Sequence, residues 1–169
     1  MRPLTSLRLI SAIALGLFYT PAWADSLCAD KALQAAADAQ VKKAEELERA
    51  GKPREAYAAA AKADSECVSD ANRHEGLKLR AAKAIGAEDE RNGHLADAYD
   101  WYMRGQSVAD AGRMQRKLVD AKPDDVNTVR HAIDHFSHQN DTAQEQAMRA
   151  HALKNVEKAL AEEEKRFAS

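Results

Sequence analysis

The sequence predicts an all-α chain of about six helices stacked as antiparallel hairpins. Three observations carry this expectation. A ten-residue segment is used twice: Glu48–Tyr57 and Glu90–Tyr99 share Glu, Arg, Gly, an acidic residue, Ala and Tyr in register, forty-two residues apart. Apolar residues recur at steps of three and four along most of the chain, and no segment shows convincing strand alternation. Aromatic residues make up only 5% of the chain, while alanine is abundant. Alanine favours helices and lets them approach closely but buries little apolar area, so a thin core in need of a brace is expected.

The chain opens on a leader. Met1 to Arg8 carries Arg2 and Arg8 and no acid, Leu9 to Tyr19 is almost wholly apolar, and Pro21-Ala22-Trp23-Ala24 ends in a small-x-small site. These are the parts of a secretory signal peptide, too short and wrongly flanked for a membrane span. Residues 1–24 are therefore expected to be removed, and the chain to be exported to the periplasm or secreted, with no integral membrane association afterwards. Leu27, just before Cys28, is too bulky for a lipoprotein processing site. The leader holds two of the 25 basic residues and none of the 27 acidic ones, so its loss moves the formal charge from -2 to -4. That balance argues against a nucleic-acid surface, which needs a concentrated basic patch.

The brace is expected from Cys28 and Cys67, the two cysteines of the chain. Disulfides persist in exported proteins, and closing a loop of this length is worth roughly 3–4 kcal/mol by chain entropy. Two free buried thiols are the alternative. The spacing is far from C-x-x-C and does not support redox catalysis.

Residues 25–122 read as two helical-hairpin repeats. Asp25 and Ser26 offer a cap for a helix over Ala29 to Arg49, with Leu33, Ala37, Val41, Ala44 and Leu47 inward. Gly51 ends it and Pro53 opens the next, the usual asymmetry of helix ends. That second helix carries Tyr57, Ala60 and Ala61 as its inner stripe and must stop near Asp64 or Ser65 if Cys67 is to reach Cys28. Asn72 to Arg91 forms the third helix, with Leu77, Ala81, Ala84, Ile85 and Glu88 along one side. Asn92-Gly93 makes the turn, and Leu95 to about Ala109 returns with Ala98, Tyr99 and Tyr102 inward. Gly105 and Gly112 blur the next boundary, and Lys122-Pro123 stops the apolar pattern.

Residues 123–169 read as a helical pair packing on the repeats. Asp124 or Asp125 caps a helix bearing Val126, Val129, Ile133 and Phe136. Asp141 or Thr142 caps the last one, whose inner face carries Met148, Ala152, Val156, Ala159 and Leu160, and whose end from Glu162 to Arg166 is expected to fray.

The duplicated hairpin resembles the tetratricopeptide family. The second copy supplies Gly93, Ala98 and Tyr102, with Gly105 in place of the family's later alanine. The first supplies Gly51, Ala56, Ala60 and Ala63, with alanine at the aromatic position. The likeness covers roughly Ala29 to Ala109, and the forty-two-residue period exceeds the family's usual period of about 34. It implies a TPR-like stack that presents a groove to a protein or peptide, without catalysis.

Three groups of residues are candidates for function. His131, His135 and His138 share one face of their helix, opposite Val129, Ile133 and Phe136, and so are expected away from the core. Such a face is simply solvated, or it chelates Zn²⁺, Ni²⁺ or Cu²⁺ with Asp134 or Asp141, or it gains charge in mild acid. Trp101 points away from Tyr99 and either packs on a neighbouring helix or anchors a partner. Arg54, Arg91 and Arg104 are candidate rim contacts. No metalloprotease, haem, phosphate-loop or nucleophile-elbow pattern occurs. The expectation is a protein-protein interaction or scaffolding module, not an enzyme, needing no cofactor, with an unidentified periplasmic protein or peptide as partner. The alternative is a metal-binding helical protein that uses the histidine cluster.

Overall fold

In the computed structural model, which describes Cys28, residues 30–63 and residues 65–168, seven helices follow one another among the described residues. They are α1 (Lys31–Arg49), α2 (Pro53–Lys62), α3 (Ala71–Arg91), α4 (Leu95–Arg104), α5 (Val108–Ala121), α6 (Val126–His138) and α7 (Thr142–Phe167). Each packs chiefly on the helices next to it in sequence, and α1 also meets α3. The fold is all-α with consecutive pairwise packing. The expected leader and the expected cap at Asp25 and Ser26 lie outside the described residues. The first helix starts later than the expected Ala29, because Asp30 takes the capping role and accepts the Ala32 amide at 2.8 Å.

One turn geometry joins four of the helix pairs. After α1, Gly51 donates to the Glu48 carbonyl and Lys52 to the Leu47 carbonyl. The same two bonds recur after α3 from Gly93 and His94, after α4 from Gln106 and Ser107, and after α6 from Asn140 and Asp141. This is the Schellman arrangement, whose C′ residue must adopt left-handed φ. Gly51 (φ 70), Gly93 (φ 77), Gln106 (φ 52) and Asn140 (φ 55) do so. The bends at Gly51 and Gly93 are thus equivalent, as the duplicated segment predicts. In each case the next residue caps the following helix, and its carbonyl receives an amide four residues on: Ala56, Ala98, Ala111 and Glu145. The three alanines are fully buried. A small side chain there lets the returning helix lie directly on the one before it.

The count of seven replaces the expected six because the stretch expected to continue past Arg104 breaks at Gly105-Gln106-Ser107. A β-carbon on Gly105 would fall 2.9 Å from the Lys83 backbone nitrogen and 3.1 Å from the Leu79 carbonyl oxygen. The end of α4 therefore lies directly against the α3 backbone, and the chain must turn there.

The core is thin and divided. Ala37, Val41, Ala44, Ala60 and Leu77 join α1, α2 and α3 in one cluster. Ala98, Tyr102, Ala111 and Met114 join α4 and α5, and Val119, Val129, Ala132 and Phe136 join α5 and α6. Cys28 and Cys67 form a disulfide with Cα atoms 4.8 Å apart, and α2 ends at Lys62, close to where that bond requires. Asp38 of α1 accepts both the Ser69 amide and the Ser69 hydroxyl at 2.9 Å, tying down the same loop.

Several inner-face expectations shift. Ala56, Ala59 and Ala60 form the buried stripe of α2, with Tyr57 partly buried and Ala61 exposed, because α2 is held between α1 and α3. Leu33 is exposed at the start of α1. The far end of α7 stays helical to Phe167 where fraying was expected, and no α7 residue is buried.

Candidate functional site

Helices α4, α5 and α6 enclose an open groove of about 770 Å³. Tyr99 and Met103 of α4 and Leu118 of α5 supply its apolar wall, and His131, His135 and His138 come from α6. Lys122, Asp100 and Asp134 set a mixed-charge rim. Tyr99 faces this groove because it follows Gly93 by six residues, as Tyr57 follows Gly51. That places it one step past the buried alanine and at the edge of the core.

The histidines do not behave as one exposed face. His135 is buried, with 6% of its surface exposed, while His131 and His138 are exposed. The helical-wheel expectation fails for His135 because α6 has neighbours on two sides. The apolar stripe itself reaches α5, where Phe136 lies against Gly112, and His135 beside it meets the same glycine and the Tyr99 ring of α4. Nδ1 of His135 lies 3.3 Å from the Tyr99 hydroxyl, and the two rings meet edge to face with centroids 5.5 Å apart. Burial first, then the positive charges of Arg116 and His138, push the His135 imidazole below its ordinary value and favour the neutral ring. His138 Nδ1 donates to the Asp134 carbonyl at 2.6 Å, and His151 Nε2 donates to the Pro123 carbonyl at 2.8 Å. Among the described residues, no three or more His, Cys, Asp and Glu side chains come together in a way that could hold a metal.

Trp101 lies on the opposite side of α4, partly buried. It meets Tyr57 of α2 edge-on at 5.0 Å, and the Arg104 guanidinium sits 5.1 Å from its ring centre. Trp101 thus bridges the two duplicated hairpins with one edge open. Arg54 is engaged within the fold: it donates to Asp89 Oδ1 at 2.5 Å and approaches Glu88 at 3.7 Å. Arg91 and Arg104 are exposed, and Arg91 lines a smaller groove with Lys52, Arg54 and Glu88 beside the first turn.

Two ionic features, one buried and one half-buried, lay beyond the reach of sequence reasoning. Asp89, 2% exposed, stands where the first turn has Leu47, and its Oδ2 has no hydrogen-bond partner among the described residues. Glu90 receives hydrogen bonds from the Tyr102 hydroxyl at 2.8 Å, Lys117 at 2.7 Å, and Arg113. Burial alone would raise the Glu90 carboxyl, but the bonds from Lys117, Arg113 and Tyr102 outweigh it and hold the pKa at about 2. Glu48, the matching residue of the first copy, pairs with Arg80 at 2.8 Å. The repeated glutamate therefore reaches forward both times: from α1 to α3 and from α3 to α5.

No family model matches this chain, and neither a curated protein nor a solved structure is significantly similar to it. Its class is defined by the fold itself: an all-α protein whose helices pack in sequence order. Among the described residues, no helix is long and apolar enough to cross a membrane.

Proposed function

We propose that this is an exported helical-hairpin protein of the tetratricopeptide type, acting as an interaction or scaffolding module in the periplasm. Its groove between α4, α5 and α6 takes a segment of a partner protein. The observation that carries this reading is the groove: its volume of about 770 Å³ falls in the range of built binding sites, and it is lined by residues of three helices. Its wall of Tyr99, Met103 and Leu118 offers apolar contact, and His131, Lys122 and Asp134 offer polar contacts at the rim. The leader composition supports export, and the disulfide suits an oxidising compartment.

A photo-crosslinking side chain in place of Met103, which is exposed within the groove, tests the reading in the native host. It is expected to capture a discrete partner that the same group at the exposed Arg49 does not capture, and Leu118→Glu is expected to abolish the adduct. Identical adducts from both positions, or none from Met103, would sink the reading.

A further inference from the structure

Among the described residues, eight large apolar side chains are exposed, and five of them lie on the terminal pair: Val126, Leu153, Val156, Leu160 and Phe167. A helical stack in water needs a polar outer face on its last unit. Here α7 packs on α6, half its length, and leaves Leu153 64%, Val156 57%, Leu160 60% and Phe167 88% exposed. At 3.6 residues per turn, Arg149, Leu153, Val156, Leu160, Glu163 and Phe167 fall within an arc of about 80°. Beside that arc, Ala152 and Ala159 line a groove of about 530 Å³ whose other wall is Val129 and Ile133 of α6.

We propose that this face is covered by α7 of a second copy, running antiparallel about a two-fold axis at Val156. The pattern of side chains specifies that occupant. With Val156 on the axis, Leu160 of each copy falls opposite Ala152 of the other, and Leu153 opposite Ala159. Each large side chain therefore enters the α6–α7 groove where a small one leaves room. Arg149 then faces Glu163 of the second copy, twice. A parallel pair would set Glu163 against Glu163 and Arg149 against Arg149, so charge chooses the direction. Within its own chain Arg149 is held by Glu145, one turn earlier, at 2.8 Å, which positions the guanidinium along the stripe. The exposed apolar side chains present on the order of 500 Å² per copy, the scale of a functional patch. That is more than half of the roughly 800 Å² per partner in a standard interface. A two-fold contact uses the same patch on both copies and covers the exposed α7 face of each. Such a dimer carries two α4–α6 grooves, so a partner with two matching segments would bind with avidity.

Sedimentation equilibrium of the disulfide-bonded protein tests this. A concentration-dependent dimer is expected, and Leu160→Glu is expected to weaken it about tenfold or more. Leu160 is exposed, so the variant's far-UV spectrum and melting are expected to stay those of the monomer. Arg149→Glu and Glu163→Arg are each expected to weaken the dimer, and the double reversal to restore it. Val156→Cys is expected to cross-link two copies on mild oxidation. A chain that stays monomeric across its soluble range overturns the proposal, including the case in which this face takes a different polypeptide. So does a dimer indifferent to Leu160→Glu, or one that both single reversals weaken and the double reversal fails to restore.

Discussion

Gln106 carries the clearest residue-scale consequence. It holds φ 52, a conformation that the two duplicated turns assign to glycine. A non-glycine residue in the left-handed region costs about 1 kcal/mol or more. Gln106→Gly is therefore expected to raise stability by about 1 kcal/mol in urea unfolding, whereas Gly93→Gln is expected to lower it by a similar amount. Glu90 gives the pH dependence. Its folded pKa is depressed from 4.5 to about 2, so its stabilisation is fully present above about pH 5 and lost as pH falls toward 2. The shift corresponds to about 3 kcal/mol. Comparison of wild type with Glu90→Gln across that range reports Glu90 together with its coupling to Asp110 through Arg113, because Glu45, also held low by its partner, titrates in both proteins. Ser107 and then Arg113 hold Asp110 low, and Arg73 holds Glu45 low.

At the scale of elements, the duplicated segment named the turns but undercounted them. Four share one geometry, and two of these lack the glycine that made the others visible. The missed signal was the alanine five residues beyond the turn: Ala111 follows Gln106 as Ala56 follows Gly51 and Ala98 follows Gly93. The disulfide acts on a different element, the connection from α2 to α3. It fixes the chain before α1 to the loop that leaves α2, with a separation of 39 residues. Cys67→Ser is expected to cost about 2–4 kcal/mol and to speed proteolysis within residues 65–70. Equal melting temperatures for the oxidised protein and the variant would show that the Asp38–Ser69 bonds hold the loop unaided.

Across the whole molecule, stability follows the distribution of buried side chains. Helix α3 buries His74, Leu77, Ala81, Ala82, Ile85, Gly86 and Asp89, and α7 buries none. Packing chiefly between sequence neighbours makes each helix as protected as its contacts. Amide exchange is expected to be slowest in α3 and fastest in α7 at low protein concentration. Protection in the Leu153–Leu160 stretch of α7 is expected to rise with concentration while that of α1 stays constant. Uniform protection along the chain would contradict a stack of neighbour contacts.

The sequence by itself determined the helical class, the two glycine turns and the pairing of Cys28 with Cys67, because each rests on local period or on chain length between fixed points. Tertiary structure alone decided that Gln106 would turn like a glycine, that His135 would be buried, and that Arg54 would be engaged by Asp89. Periodicity describes one helix against an assumed single core, and α2, α4 and α6 each have neighbours on two sides. The same packing decided which apolar side chains stayed uncovered: α7 packs chiefly on α6 among the described helices, and Leu153, Val156 and Leu160 stay exposed.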